Sequence, residues 1–186
     1  MEIIKAKQYK DQVKNIKEDT LVHFIKELTL LNSDETARFN SWNAKGLAML
    51  GASALSLTFF SLGIRSLEKP LPPTEVSILY ISIYILPLLL FLFAVIFYSL
   101  ATWNALVSLR PRPICRLDED ELLSIAISDG DFLKSITADK MATYKNNMQI
   151  VNEKASAVKA AWEYYFCAFI AQAAFLVIIV LRSHLP

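Results

Sequence analysis

The chain has 186 residues and a mass of 21.0 kDa, 54% of its residues are hydrophobic, and its mean hydropathy is +0.37. That apolar share exceeds the roughly 45–50% of soluble domains and excludes intrinsic disorder. Lys and Arg number 19 against 18 Asp and Glu, a net charge of +1, so the basic excess of a nucleic-acid binder is missing and no direct nucleic-acid binding is expected.

Residues 5–31 are expected to form an amphipathic helix, because Tyr9, Val13, Ile16, Phe24, Leu28 and Leu31 recur at helical steps. Its apolar face either packs on another cytoplasmic helix or lies on the membrane surface, its lysines facing water. His23 has no His or Cys at i+3 or i+4 and reads as a polar-face residue. Lysines at 5, 7, 10, 14 and 17 argue against a signal peptide, so the first apolar run is expected to stay in the mature protein.

Three uncharged runs follow: Gly46–Ile64, Val76–Leu109 and Tyr164–Leu181, of 19, 34 and 18 residues. About 20 helical residues cross ~30 Å of hydrocarbon. The runs therefore predict a transmembrane hairpin over 46–109, with spans at about 46–64 and 76–103, and a third span over 162–182. Ala44, Ala48, Ala52 and Ser56 place small residues every four positions along the first span, a stripe that lets membrane helices pack closely. Pro70, Pro72 and Pro73 make 65–75 a short connection, and Pro87 is expected to bend the second span. Tyr98 and Trp103 suit the headgroup zone at its inner end.

Residues 110–161 form the predicted cytoplasmic helical region. Arg110, Arg112 and Arg116 at its start are expected to contact lipid phosphate or, alternatively, a phosphate-bearing ligand. The acids of 118–121 suit a helix N-terminus and lack the spacing of a calcium loop. From Asp131, an expected N-cap, no Pro or Gly interrupts the chain before Pro186. A long stalk is thus expected to continue into the third span. Along it Met141, Tyr144, Met148, Val151, Ala155, Val158, Trp162, Tyr165 and Phe169 alternate steps of 3 and 4, a heptad seam. The seam either packs within one chain or builds a symmetric oligomer. Gln172, the only amide side chain in the third span, is expected to hydrogen-bond across helices or face a wet lumen. A short echo, Asn43-Ala44-Lys45 and Asn152-Glu153-Lys154, precedes the first and third spans.

Orientation follows from the basic residues: sixteen of the nineteen lie in 1–45 and 110–159, against two in 65–75 and Arg182. Cytoplasmic flanks keep the positive excess, so the N-terminus and the long loop are expected inside and the tail, 183–186, outside. The fold class expected is an all-α membrane protein of three transmembrane helices, with an amphipathic N-terminal helix and a long cytoplasmic stalk.

Catalytic signatures are missing: no Walker loop, dinucleotide fingerprint, His-Glu-x-x-His or Gly-x-Ser-x-Gly is present. Cys115 and Cys167 have no partner at metal-ligand spacing. The expectation is no enzyme activity, no metal and no cofactor. Three spans without intramembrane charge are also unlike a secondary transporter.

The order of elements resembles small bacterial membrane effectors of anti-phage defence, particularly those of cyclic-pyrimidine (Pycsar) systems and related two- and three-span effectors. The likeness lies in the N-terminal helix, a small-residue-rich first span entered through Asn43-Ala44-Lys45-Gly46, a cytoplasmic helical loop, and Lys154-Ala155 leading to the last span. The resemblance implies a bacterial inner-membrane protein that oligomerises on triggering, permeabilises the membrane and arrests growth. Implied partners are membrane lipids, further copies of the chain, and a cytoplasmic regulatory protein or cyclic nucleotide. The alternative is a non-catalytic scaffold or accessory subunit of a larger membrane complex.

Overall fold

The computed structural model describes residues 7–64, 85–112, 114 and 131–184. Its helices are α1 (Lys7–Val13), α2 (Glu18–Ile64), α3 (Leu86–Leu109) and α4 (Phe132–His184), and no strand occurs among the described residues. The chain divides into two compact units, one of 1–43 with 110–155 and one of 44–109 with 156–186.

The first unit corrects the expectation of a single N-terminal helix. The chain turns after Val13, where the Ile16 amide donates to the Val13 carbonyl at 3.2 Å, and a new helix starts at Glu18 with Glu18 and Asp19 in its first turn. Acids there meet the positive end of the helix dipole. The turn brings Val13 and Leu21 against Ala138, all three buried, with Tyr9, Ile16, Leu133 and Met141 packed around them. A straight helix would have spread Val13 and Leu21 along its length. His23 is exposed, as a polar-face residue should be.

The α4 helix begins where its capping residue sets it: the Asp131 carbonyl accepts from the Lys134 and Ser135 amides, and its carboxylate pairs with Lys134 at 2.6 Å. With no Pro or Gly to break it, this helix runs 53 residues. In the first unit it lies parallel to α2, since residue numbers rise together along the contacts Thr29–Lys140, Asn32–Asn147 and Asn43–Lys154.

In the second unit α2 and α4 again run parallel, joined by Ser56 and Tyr165, while α3 runs against α4 through Tyr98 with Gln172 and Phe91 with Phe175. Pro87 stands two residues after Ile85, which is π-helical, and the segment before Ile85, where a bend at Pro87 would show, lies outside the described residues. The buried face of α3 is Pro87, Ala94, Tyr98, Ala101, Ala105 and Ser108, so small residues set the close approach here. Its outer face carries Leu88, Leu89, Leu92, Phe93, Ile96 and Trp103, each 47–59% exposed.

Two helices, Leu86–Leu109 and the apolar part of Phe132–Leu181, are long and apolar enough to cross a membrane. The first predicted span, 46–64, forms the end of α2; the segment 76–84 and the connection 65–75 lie outside the described residues.

Gly46 sits where a Cβ would meet the Ser108 hydroxyl oxygen at 2.5 Å. Ser108 is buried and bonded to the Ala105 carbonyl at 2.6 Å, so it has little room to yield. Gly46→Ala is expected to lower the unfolding free energy in mild detergent by about 1–3 kcal/mol through overpacking. Adding Ser108→Ala should recover part of that loss in the same melting experiment; additive losses would show that the two side chains do not compete.

Candidate functional site

Each unit buries its own polar cluster. In the second, the Tyr98 hydroxyl donates to Gln172 Oε1, and Ser56 Oγ and the Tyr165 hydroxyl lie 3.1 Å apart. The rings of Tyr98 and Tyr165 meet edge to face at 5.6 Å between centroids. Ser53, one turn before Ser56 on α2 and 1% exposed, has no hydrogen-bond partner for its hydroxyl. Polar groups from all three helices therefore converge inside a unit whose outside is apolar. Buried hydroxyls and amides cost free energy unless paired, so the pairs select one registration of the helices.

Gln172 makes the interhelical hydrogen bond expected of it. Tyr98 is fully buried, in a cluster with Ala94, Ala168, Ala171 and Phe175. Its flanking alanines, Ala94, Ala101 and Ala105, are the sequence signal for that placement, since spacings of 4, 3 and 4 put them on its own helix face. Ser53 had no such signal.

On the first predicted span Gly46, Met49 and Ser53 are buried, Ser56 and Ala52 are half-buried, and Ala48 is exposed in the single chain. Of the predicted stripe only Ser56 makes a polar contact.

Along the α4 seam, Val151 and Val158 are buried, Met141, Tyr144, Met148, Ala155 and Tyr165 are half-buried, and Trp162 and Phe169 are 52% and 51% exposed in the single chain. Asn147, Lys154, Ala161 and Ala168, each one position before Met148, Ala155, Trp162 and Phe169, are buried.

In the first unit the cluster centres on Lys154, 3% exposed. Its ammonium donates to Asn43 Oδ1 at 3.0 Å and to the Arg110 carbonyl at 3.2 Å, and lies 4.6 Å from the centroid of the Phe39 ring. One side chain thus ties α2, α4 and the residue that follows α3. The first residue of one echoed tripeptide, Asn43, thus touches the last residue of the other, Lys154. Arg112 forms an ion pair with Glu153, so the arginine expected at lipid phosphate is engaged by a carboxylate of its own chain. Both partners are about one-third exposed, which holds such a pair to about 1 kcal/mol or less. Arg110 is exposed, and Arg116 lies outside the described residues, as does Cys115. Cys167 is free and exposed on α4. No group of three metal-ligating side chains occurs among the described residues.

Burial, and then the charge of Arg112, push the Lys154 pKa below its ordinary 10.5. A lysine whose folded pKa is lowered holds its proton more weakly folded than unfolded, so stability rises as pH climbs from the lowered value to 10.5. Relative to Lys154→Met, which has no such titration, the wild-type melting temperature is expected to gain over that alkaline window. A constant difference between the two proteins across it would contradict the assignment.

No family model, curated protein or solved structure matches this chain.

Proposed function

We propose that this chain is a multi-pass protein of the bacterial inner membrane, with spans over 46–64, 76–103 and 162–182. Its N-terminus and the 110–161 region are cytoplasmic and its C-terminus is outside. It acts without catalysis, as a defence effector that assembles into a homo-oligomer when triggered and permeabilises the membrane, arresting the infected cell. Lipids and further copies of the chain are its main partners, and a cytoplasmic protein or cyclic nucleotide is the trigger.

The observation that carries this reading is the distribution of polarity in the second unit. Large apolar side chains point outward from α3 and α4, while Ser53, Tyr98 and Gln172 are buried inside. Water would impose the opposite arrangement; lipid permits it, because polar groups without water must find each other. The sixteen basic residues in 1–45 and 110–159 support the orientation.

Induced expression in bacteria, together with the neighbouring genes and phage challenge, should admit a membrane-impermeant dye and collapse the membrane potential. Intact membranes under those conditions would refute the effector reading. Mass measurement in detergent separates it from the accessory-subunit alternative: a closed homo-oligomer supports the effector, a monomer that copurifies stoichiometrically with another protein supports the subunit.

A further inference from the structure

We propose that the polar groups inside the second unit form one half of a proton path within a single chain, sealed across its other half by Phe175. The inference rests on the three-span reading and concerns protons alone, within one chain, apart from the dye-permeant route of the assembled oligomer.

Ser53 begins the series. Its hydroxyl is 1% exposed and has no partner, and an unused donor and acceptor in an interior is where a buried water binds. One turn further along the same helix face, Ser56 meets the Tyr165 hydroxyl at 3.1 Å. Tyr165 packs edge to face on Tyr98, and the Tyr98 hydroxyl donates to Gln172. Each hydroxyl in this series, and a water seated between two of them, both accepts and donates a proton. A proton taken up at one hydroxyl is matched by one released from the same hydroxyl to the next acceptor, with no net chemical change; Gln172 Oε1 only accepts and holds the Tyr98 hydroxyl in place.

The series has a direction. Trp103 and Trp162 are 59% and 52% exposed, beside the buried Ala105 and Ala161, and exposed tryptophans favour the membrane–water interface. Gln172 lies ten residues beyond Trp162, about 15 Å at ~1.5 Å per residue, which is half of a ~30 Å hydrocarbon layer. One turn deeper the polar groups give way to Phe175, fully buried in a cluster that Leu90, Phe91 and Ile179 pack against, with the Phe91 ring at 6.2 Å. An apolar constriction of this kind stops conduction by excluding water.

The test uses the full chain in liposomes of phosphatidylethanolamine and phosphatidylglycerol loaded with a pH-sensitive dye, with a potassium diffusion potential driving protons inward. Phe175→Ser should raise proton flux at least tenfold over wild type, and adding Tyr98→Phe and Gln172→Leu should remove most of the rise. Two results overturn the proposal: wild-type flux in a Phe175→Ser protein that is inserted and helical, or an equal rise with the polar series removed, the signature of a leak through damaged packing. If Phe175→Ser loses helicity by circular dichroism, Phe175→Ala decides by the same criteria. Release of the wild-type protein from the liposomes by alkaline carbonate would reject the three-span reading and the path together; retention without the expected flux rejects the path alone.

Discussion

Tyr98→Ala is expected to destabilise the second unit by about 3–5 kcal/mol, the range for truncating a fully buried aromatic residue, measured as the loss of helical signal on heating in mild detergent. Tyr98 is completely buried among Ala94, Ala168, Ala171 and Phe175. The alanines cannot move in to fill the space of a lost ring, so a cavity remains. The substitution also strips Gln172 Oε1 of its donor, leaving an amide oxygen buried in an apolar unit. Tyr98→Phe separates the two losses. It keeps the ring and removes only the hydroxyl, and interhelical hydrogen bonds of this type average about 0.6 kcal/mol with a maximum near 1.7. Pairing it with Gln172→Leu completes a double-mutant cycle. A Tyr98→Phe loss as large as that of Tyr98→Ala would mean that the hydrogen bond, not the packing, holds α3 in place.

Leu21→Ala should have a comparable effect in the first unit, about 2–5 kcal/mol, because Leu21 is fully buried at the meeting point of α1, α2 and α4. Three helices converge on it only because the chain turns between Val13 and Glu18. Without the leucine, α1 keeps little to hold it: it is seven residues long, and an isolated helix of that length is unstable in water. Hydrogen exchange read by mass spectrometry is therefore expected to accelerate across Lys7–Val13 and around Ala138. Amides of α3, which belong to the unit with its own core at Tyr98 and Phe175, should keep their protection. Equal acceleration in α3 would show that the two cores open as one.

The fold was largely legible wherever a local rule decided it. Asp131 capped α4, the lack of Pro and Gly kept that helix unbroken, and Gln172 found a partner in the span. One local detail escaped. The break at residues 14–17 carries no Pro or Gly to announce it; it forms because Val13 and Leu21 gain a shared core.

Which face of a helix goes inward is not fixed by spacing alone. The chain buries Asn147, Lys154, Ala161 and Ala168 beside the seam positions Met148, Ala155, Trp162 and Phe169, and Gly46, Met49 and Ser53 beside Ala48 and Ala52. The second unit carries large apolar side chains on its outside. What goes inward is whatever lets backbones approach, glycine and alanine, and whatever needs a hydrogen-bond partner. In the first unit Lys154 goes inward for a related reason, because Asn43, the Arg110 carbonyl and the Phe39 ring offer its ammonium three favourable contacts at once.

By itself the sequence determined the all-helical class, the positions of the long apolar runs and the start and continuity of α4, because each follows from local composition, capping and the absence of breakers. Only the tertiary structure decided that Tyr98 meets Gln172, that Asn43 meets Lys154 across 111 residues, and that Arg112 pairs with Glu153. Those pairings depend on the rotation of each helix about its own axis, and rotation is set by the neighbour's surface rather than by anything written along one strand of sequence.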